Sequence, residues 1–518
     1  MSMAVALAAI LAVFILRYVL ATSGKKKALN LPPGPRGWPV IGSLAALAGA
    51  LPPHRALAAL AARHGPLMHL RLGSYDVAVA SSADAARLVL KTHDLAFADR
   101  PSTAAGEVAS YGYLGILHTP YGAYWRMARK LCATELFSAR RVDSFEGVRA
   151  QEMRTLVRGL FRCAGRAVAV REHVAGATLR NILRMAVGEK WSGCYGSADG
   201  EAFRRTLDEA FAVTGAVSNV GEWIPWLGWL DLQGCIRRMK RLSEMYDRFY
   251  EQILDEHEER RRRAGAGEFV ASDLVDVLLQ LAEKGRSETS EAKLTRDGVK
   301  AFIQDIIAAG TESSAVTMEW AMSELLRHPE AMAAATGELD RVVGRGRWVT
   351  ERDLPDLPYI DAVVKETLRL HPVGPLLVPH LAREDTVVAG YDVPAGARVL
   401  VNVWAIARDP ASWPDAPDAF RPERFLGGAG VDVRGAHFEL LPFGAGRRIC
   451  PAYDLAMKLV AAGVARMVQG FAWRLPGGVA PEDVSMEEHV GLSTKRKVPF
   501  VAVAEPRLPA HLYDDATD

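Results

Sequence analysis

The feature that most constrains this chain is how much of it reads as helix. Stretches rich in Ala, Leu, Arg and Glu run through 55–64, 83–92, 121–135, 145–187, 201–215, 236–264 and 297–328. Others cover 329–343, 359–370 and 453–470. Such residues are the stronger helix formers. β-Branched runs are few and short: Leu67–Leu72, Val77–Ala80, Thr386–Val388, Val399–Val401 and one near Val498–Val503. They do not alternate with helices as a doubly wound sheet requires. The expectation is a large body, mainly α with a minor β region, and no internal repeat or second boundary divides it.

The 63 basic and 61 acidic residues nearly balance, leaving a net charge of +2. That excludes the strong basic field of a general nucleic-acid binder. A chain 49% hydrophobic and 24% charged is neither disordered nor collagen-like. Five cysteines, Cys132, Cys163, Cys194, Cys235 and Cys450, lie tens of residues apart and include no C-x-x-C pair. This is neither a disulfide framework nor a zinc pattern, so the body should face a reducing compartment. The run Arg260–Arg263, after acidic Asp255–Glu259, reads as a solvated helix end.

Met1 to Leu16 carries no charge; beyond Arg17 the apolar character resumes to Ala21, and Lys25-Lys26-Lys27 follows. About 20 residues span a bilayer core, and 1–21 supplies them if Arg17 snorkels toward the headgroups. A cleaved signal peptide carries its positive charge before the apolar stretch, whereas here the charges follow it. The expectation is an N-terminal transmembrane anchor over 1–21, single-pass, with the body held cytoplasmic by the flanking lysines. Residues 22–39 form a basic and proline-rich hinge. Its Leu31-Pro32-Pro33-Gly34-Pro35-Arg36-Gly37-Trp38-Pro39 holds four prolines in nine residues, which is extended and semi-rigid chain. It reads as a linker, or as a stiff spacer that sets the tilt of the body, 40–518.

Common catalytic signatures fail. G-x-S-x-G, G-x-x-x-x-G-K-[ST] and H-E-x-x-H do not occur, and the G-x-G at Gly444-Ala445-Gly446 meets Ile449 where a third glycine is required. What remains surrounds one cysteine, in Phe443-Gly444-Ala445-Gly446-Arg447-Arg448-Ile449-Cys450-Pro451, just before a helical segment from Tyr453. A lone Cys is more often a small buried hydrophobe. Here glycines permit a tight turn, while two arginines and a helix N-terminus favour thiolate. A thiolate in such a turn suits haem iron.

At this point the chain resembles the cytochrome P-450 superfamily. Phe443, Gly446, Arg448 and Cys450 match its F-x-x-G-x-R-x-C loop, and Glu366-Thr367-Leu368-Arg369 its E-x-x-R. Phe420-Arg421-Pro422-Glu423-Arg424-Phe425 is similar to its P-E-R-F region. Ala309-Gly310-Thr311-Glu312-Ser313-Ser314 resembles the oxygen-activating motif, and Trp125-Arg126-Met127-Ala128-Arg129 its W-x-x-x-R. The five occur in the family's order. The resemblance implies the cytochrome P-450 fold and haem b, iron protoporphyrin IX, with an axial thiolate from Cys450. It also implies O2 and electrons from NADPH through a separate partner, NADPH-cytochrome P-450 reductase.

Residue roles follow from the same resemblance. Trp125, Arg129 and Arg448 are expected to meet the haem propionates, with His380 joining them unless it is an ordinary surface histidine. Glu366, Arg369 and Arg424 are expected to form a structural charge trio, since i, i+3 residues share a helix face and a buried carboxylate needs cations. Glu312 and Ser313, an acid beside a hydroxyl, are the expected catalytic proton relay. Phe302, Asp305, Ile306, Ala309, Gly310 and Ser313 fall on one helical stripe, where the small residues would let a flat ligand approach. Core packing is the plain alternative for Phe302 and Ile306. Arg126, Lys130, Arg447 and Lys458 are a candidate basic docking face for the reductase.

Two departures stand out. Ser313 occupies a usual threonine position, and Ala452 stands where the loop usually ends C-x-G. Serine keeps the hydroxyl but not the β-branched stiffness.

The hinge, Pro120–Arg126 and Asn402–Pro410 resemble the plant A-type group of the endoplasmic reticulum membrane. The tail around Met486–Thr494 and Leu508–Tyr513 resembles a branch that includes grass homoterpene-forming enzymes, which cleave acyclic terpenoid tertiary alcohols oxidatively. The expected substrate is thus a small apolar plant metabolite, with flavonoid ring hydroxylation as the alternative. Candidate pocket residues are Phe302, Ile306, Ala309, Val373, Leu376, Leu377, Val490 and Leu492. Membrane lipid is the remaining expected partner. A haem-thiolate isomerase or dehydratase, or a haem-binding protein without turnover, are the readings of a different kind.

Overall fold

A 32-residue helix, Arg296–Arg327, forms the axis of the molecule. Thr295 caps it, its hydroxyl accepting from Gly298 N, and the helix ends where Pro329 disfavours helical φ/ψ at His328. In this computed structural model the described residues are 29–192, 206–207, 209–210, 219–264, 269–287, 292–427 and 430–514.

The helices include α1 (Pro53–His64), α2 (Ala83–Arg87), α3 (Ala123–Leu131), α4 (Glu146–Arg162), α5 (Val170–Val187), α6 (Cys235–Ala264) and α7 (Leu274–Ser287). They continue with α8, the axial helix, then α9 (Pro329–Val342), α10 (Pro358–Leu370) and α11 (Tyr453–Gly470). Proline at the first turn starts α1, α9 and α10, where its absent N–H costs nothing. Helix α8 packs most heavily on α5 and also against α7, α10 and α11. It therefore joins two apolar cores. One gathers α4, α9, α10 and α11; the other gathers α3, α5, α6 and α7.

Strands β1 (Leu67–Leu72) and β2 (Tyr75–Ala80) form a hairpin; β3 is Ala167–Ala169, β4 His380–Leu381, β5 Thr386–Val388, β6 Tyr391–Val393 and β7 Arg398–Val401. Then come β8 (Phe471–Arg474), β9 (Glu488–Val490), β10 (Thr494–Arg496) and β11 (Val501–Pro506). The largest sheet has the order β1-β2-β7-β4, with β2 and β7 parallel, Val77 opposite Arg398. A second has the order β3-β11-β8, and β5-β6 and β9-β10 are separate pairs.

Three expectations need correction. The helix expected over 145–187 is two helices, because Gly165 takes a positive φ of 74° and β3 then pairs with β11. The strand near Val498–Val503 begins three residues later, at Val501. Helix α7 and the strands of two to four residues at β3, β4, β6, β8, β9 and β10 were not foreseen. Most of the helix expected over 201–215 lies outside the described residues, as does the whole anchor, 1–21. No described helix is long and apolar enough to cross a membrane.

The hinge does more than link. Pro33 O accepts from His69 N at 3.0 Å, and Asn30 holds Asp392 and Gly390 through its N–H and side-chain amide. A Cβ on Gly34 would collide with His69 O. The described part of the proline stretch therefore lies against the edge of β1.

Candidate active site

The cysteine loop is bent as its glycines suggest. Gly444 and Gly446 have φ of 70° and 66°, and a Cβ at 446 would strike the Leu90 carbonyl. Only glycine fits that approach. Gly446–Arg448 makes a 3₁₀ turn, Cys450 N donates to Phe443 O at 2.9 Å, and α11 starts at Tyr453. Phe443 packs against the core beside Tyr453.

The electrostatics of Cys450 differ from the expectation. Burial pushes its thiol up, opposed by the Ala452 N–H and the charge of Arg129. Arg447 and Arg448 do not lower it: Arg447 pairs with Asp94 at 3.0 Å, and Arg448 donates to Ala98 O and Thr119 O. A thiol like this ionises on binding a metal ion, which deprotonates it outright.

Cations converge near that loop. Arg448 lies over the Trp125 ring at 4.6 Å, its Nη1 is buried without a partner, and burial lowers its pKa to about 10. Burial likewise lowers Arg129, whose guanidinium makes no hydrogen bond to any described residue. Arg100 was not singled out from sequence. Its Nη1 donates to Val378 O and Pro379 O, and burial, then Arg448, lower its pKa. His380, expected at the surface if it was ordinary, is buried on β4 with Nδ1 2.8 Å from Phe97 O, and burial holds it at about 3. His118, also unforeseen, is held at about 4 and has an unpartnered Nδ1. Asp99 is the only carboxylate among the charges that raise these arginine pKa values. Buried cations that lower one another need anions, and the two propionates of a haem fit that need.

The axial helix supplies the other wall. It is buried along most of its length, yet Ala309 is exposed and Ser313 partly so. Cys450 lies deep among protein atoms and also keeps accessible surface. Each therefore keeps surface that a bound flat cofactor could meet. Gly310 faces elsewhere: a Cβ there would meet Ile182 on α5, so its smallness serves helix packing and not the ligand.

Ser313 Oγ donates to Ala309 O at 2.6 Å. Glu312 turns to the C-terminal hairpin, where Oε1 accepts from Lys495 Nζ at 3.0 Å, and Oε2 is buried without a partner. No Glu312–Ser313 hydrogen bond is present. Phe302 is fully buried and Ile306 nearly so, both among residues of α5, α6 and α7. Val373 O accepts from Thr494 N; Leu376 packs on the β1–β2 side, and Leu377 sits below Gly444 with φ 51°. Val490 ends β9, and Leu492 lies in the turn before β10.

The charge trio is complete. Glu366 and Arg369 are wholly buried and joined at 2.6 and 2.8 Å; Arg424 Nε reaches Glu366 Oε1 at 3.1 Å. Arg369 also donates to the carbonyls of Ala407, Pro417 and Ala419. Of the basic docking face, Arg126 and Lys130 are exposed, while Lys458 pairs with Asp143.

The family model for cytochrome P450 matches residues 32–501. The chain is 82% identical to the trimethyltridecatetraene synthase of Zea mays, over 100% of this chain and 96% of that one. It is 80% identical to the dimethylnonatriene synthase of Zea mays, over 99% and 98%. A flavonoid 3'-monooxygenase of Arabidopsis thaliana is 43% identical over 93% of each chain. A solved zebra fish cytochrome P450 with progesterone is 28% identical, with a TM-score of 0.75 over 88% of this chain and all of that one.

Proposed function

The chain belongs to the cytochrome P450 family and is a haem-thiolate monooxygenase, and from that premise we propose that it cleaves acyclic terpenoid tertiary alcohols oxidatively to homoterpenes. The observation that carries the substrate class is the identity of 80% or more with two homoterpene synthases, against 43% with a flavonoid hydroxylase. Difference spectra of the holoenzyme with nerolidol, an acyclic tertiary alcohol, and with naringenin, a flavonoid, test it. A saturable difference spectrum with nerolidol alone is the expected result. Binding of naringenin alone would transfer the chain to the hydroxylase reading. NADPH consumption coupled to product separates both from an isomerase or a non-catalytic protein.

Cys450 would hold the haem, and Arg100, Arg129, Arg448, Trp125 and His380 would meet its carboxylates; the bound group would supply oxygen activation with electrons from NADPH by way of the reductase. The remaining work falls to the chain. Ser313 holds a hydroxyl beside exposed Ala309 on α8, and Glu312, paired through Oε1 with Lys495, is the proposed proton source although it makes no direct bond to Ser313. Ser313→Ala should keep haem content and nerolidol affinity while product per NADPH falls by roughly 10²-fold or more and peroxide release rises. Ser313→Thr should keep or improve coupling, since it retains the hydroxyl and stiffens χ1. Unchanged coupling in Ser313→Ala would remove Ser313 from the relay.

Arg126 and Lys130 with Arg447 and Lys458 form the proposed reductase face. The proposed location is the endoplasmic reticulum membrane. Beside the anchor assigned to 1–21, Trp38 and Leu51 are 70% and 54% exposed, and Trp229 and Leu232 80% and 68%. Both groups flank the β1–β2 turn, since Gly73 N donates to Ile41 O and Ser74 N to Trp223 O. Apolar surface of this kind, next to the hinge, suits a lipid interface. Deleting Met1–Ala21 should move much of the protein to the soluble fraction, and adding Trp229→Ser and Leu232→Ser should release most of the rest. Carbonate-resistant retention after both changes would mean that another segment spans.

A further inference from the structure

His257 lies on α6, Asp273 stands just before α7 and Asp276 in its first turn, and all three are buried. None of them belongs to the site described above. One ligand atom from each lies within 4.8 Å of the others. His257 Nδ1 is 2.7 Å from Ile253 O, and Nε2 is 3.0 Å from Asp273 Oδ2. A carbonyl and an ionised carboxylate only accept, so the ring here carries two protons and a positive charge. Asp273 Oδ1 accepts from Asp276 N at 2.9 Å. Asp276 Oδ2 accepts from Ser272 N, Ser272 Oγ and Arg260 Nη2. Asp276 Oδ1, by contrast, is buried without a partner. A carboxylate oxygen sealed from water and left unbonded is costly. This one belongs to a side chain that already stands among an imidazole and a second carboxylate.

We propose that His257, Asp273 and Asp276 bind a zinc ion that joins the end of α6 to the start of α7. One imidazole nitrogen and two carboxylate oxygens suit zinc, whereas calcium and magnesium take oxygen alone. The Ser272 hydroxyl, 3.3 Å from Asp273 Oδ2 and 3.1 Å from Asp276 Oδ2, stands by as a fourth ligand. Charge is conserved in the exchange. In the metal-free chain the His257 imidazolium and the Arg260 guanidinium offset the two carboxylates. A divalent ion takes the place of one ring proton, which leaves to solvent, and of the guanidinium. The buried group is therefore neutral with or without the metal, as burial demands.

The surroundings are those of a metal ligand set. Ile253 O fixes the His257 ring through Nδ1 and leaves Nε2 for the ion, and Asp276 N holds the second oxygen of Asp273. Zinc bonded at 2.0–2.1 Å sets its ligand atoms about 3.3 Å apart. His257 Nε2 and Asp273 Oδ2 already stand at 3.0 Å, so the closure that remains falls to Asp276. Arg260 is free to give way: its side chain is 46% exposed, and its guanidinium also lies 5.8 Å from the Phe269 ring. Helix α7 packs against α5 and α8, so an ion held at this corner secures the second apolar core. A ligand that binds only the folded chain stabilises it.

Zinc titration of the chelator-treated holoenzyme tests this, read by bound metal per chain, melting temperature and zinc-edge X-ray absorption. The wild-type protein should take up an ion with only nitrogen and oxygen neighbours at about 2.0–2.1 Å, and melt at higher temperature with it. Asp276→Asn and His257→Gln should each weaken that binding by more than the roughly 10–100-fold of an outer-shell change, and lose the rise in melting temperature. Arg260→Ala should bind zinc more tightly than wild type, because no guanidinium competes for Asp276. That gain is not expected of a purely structural ion-pair cluster. Sulfur neighbours at about 2.3 Å would assign the ion to cysteines and overturn the proposal. So would equal binding by wild type and Asp276→Asn, or weaker binding by Arg260→Ala. The carbon monoxide band reports whether each variant has folded; where Asp276→Asn does not, Arg260→Ala and the absorption spectrum decide.

Discussion

Cys450→Ala abolishes the red-shifted carbon monoxide band of the ferrous protein: that is the expected result with the largest effect. The reason is local. The sulfur is lost while the loop's other supports remain: Cys450 N donates to Phe443 O through the backbone, and Gly446 stays lodged against Leu90. The fold should therefore survive, with unchanged far-ultraviolet dichroism, while the ligand is gone. Rescue by another thiol is not expected. Cys132 shares an electrostatic environment with Cys450, but it is fully covered and burial pushes its thiol up to about 12. A normal thiolate-type band in Cys450→Ala would overturn the assignment of the ligand.

The second large effect is expected at Glu366. Its two oxygens take Arg369 at 2.6 and 2.8 Å, Arg424 at 3.1 Å and the Arg421 N–H at 2.8 Å, all away from solvent. Glu366→Gln keeps the shape and removes the charge, leaving the guanidinium of Arg369 buried without its counter-ion. Breaking one side of a buried pair costs about 3–5 kcal/mol, a large part of the 5–15 kcal/mol that typically separates folded from unfolded protein. The variant should yield little haem-binding protein at 37 °C, and what folds at low temperature should melt many degrees lower. Arg424→Ala should do less, because Arg369 keeps its carboxylate. A wild-type melting temperature in Glu366→Gln would show that the trio does not hold the scaffold.

The elements that local sequence showed well are those made by local contacts. The axial helix, the bend of the cysteine loop and the E-x-x-R pair arise from nearby residues and stand as expected, whereas the charge state of Cys450 does not. The strands that escaped are short and find their partners far along the chain, as Ala167–Ala169 does opposite Val501–Val503. Three residues of Ala and Val between two helices offer no local reason to stop being helical. The stripe on α8 misled for a different reason. A helix covered on nearly every side has no single apolar face, so spacing alone could not separate Phe302, packed on α6 and α7, from Ala309, open to the site. Arg100 and His118 stand alone in sequence and acquire meaning only when the 115–119 segment and β4 bring them beside Arg448. Charge type could have prompted a search for a third arginine, but nothing in the spacing points to residue 100.

The gathered guanidiniums have a consequence for how much enzyme a cell can hold. The fold holds Arg448 where the charge of Arg129 lowers it, and Arg100 where the charge of Arg448 lowers it. A ligand that offsets these charges and binds only the native chain raises stability by RT ln(1 + [L]/Kd), so the prosthetic group acts as a folding reagent. Chains that lack the prosthetic group should then melt at lower temperature than those that hold it, so its supply should govern how much folded protein a given amount of messenger yields.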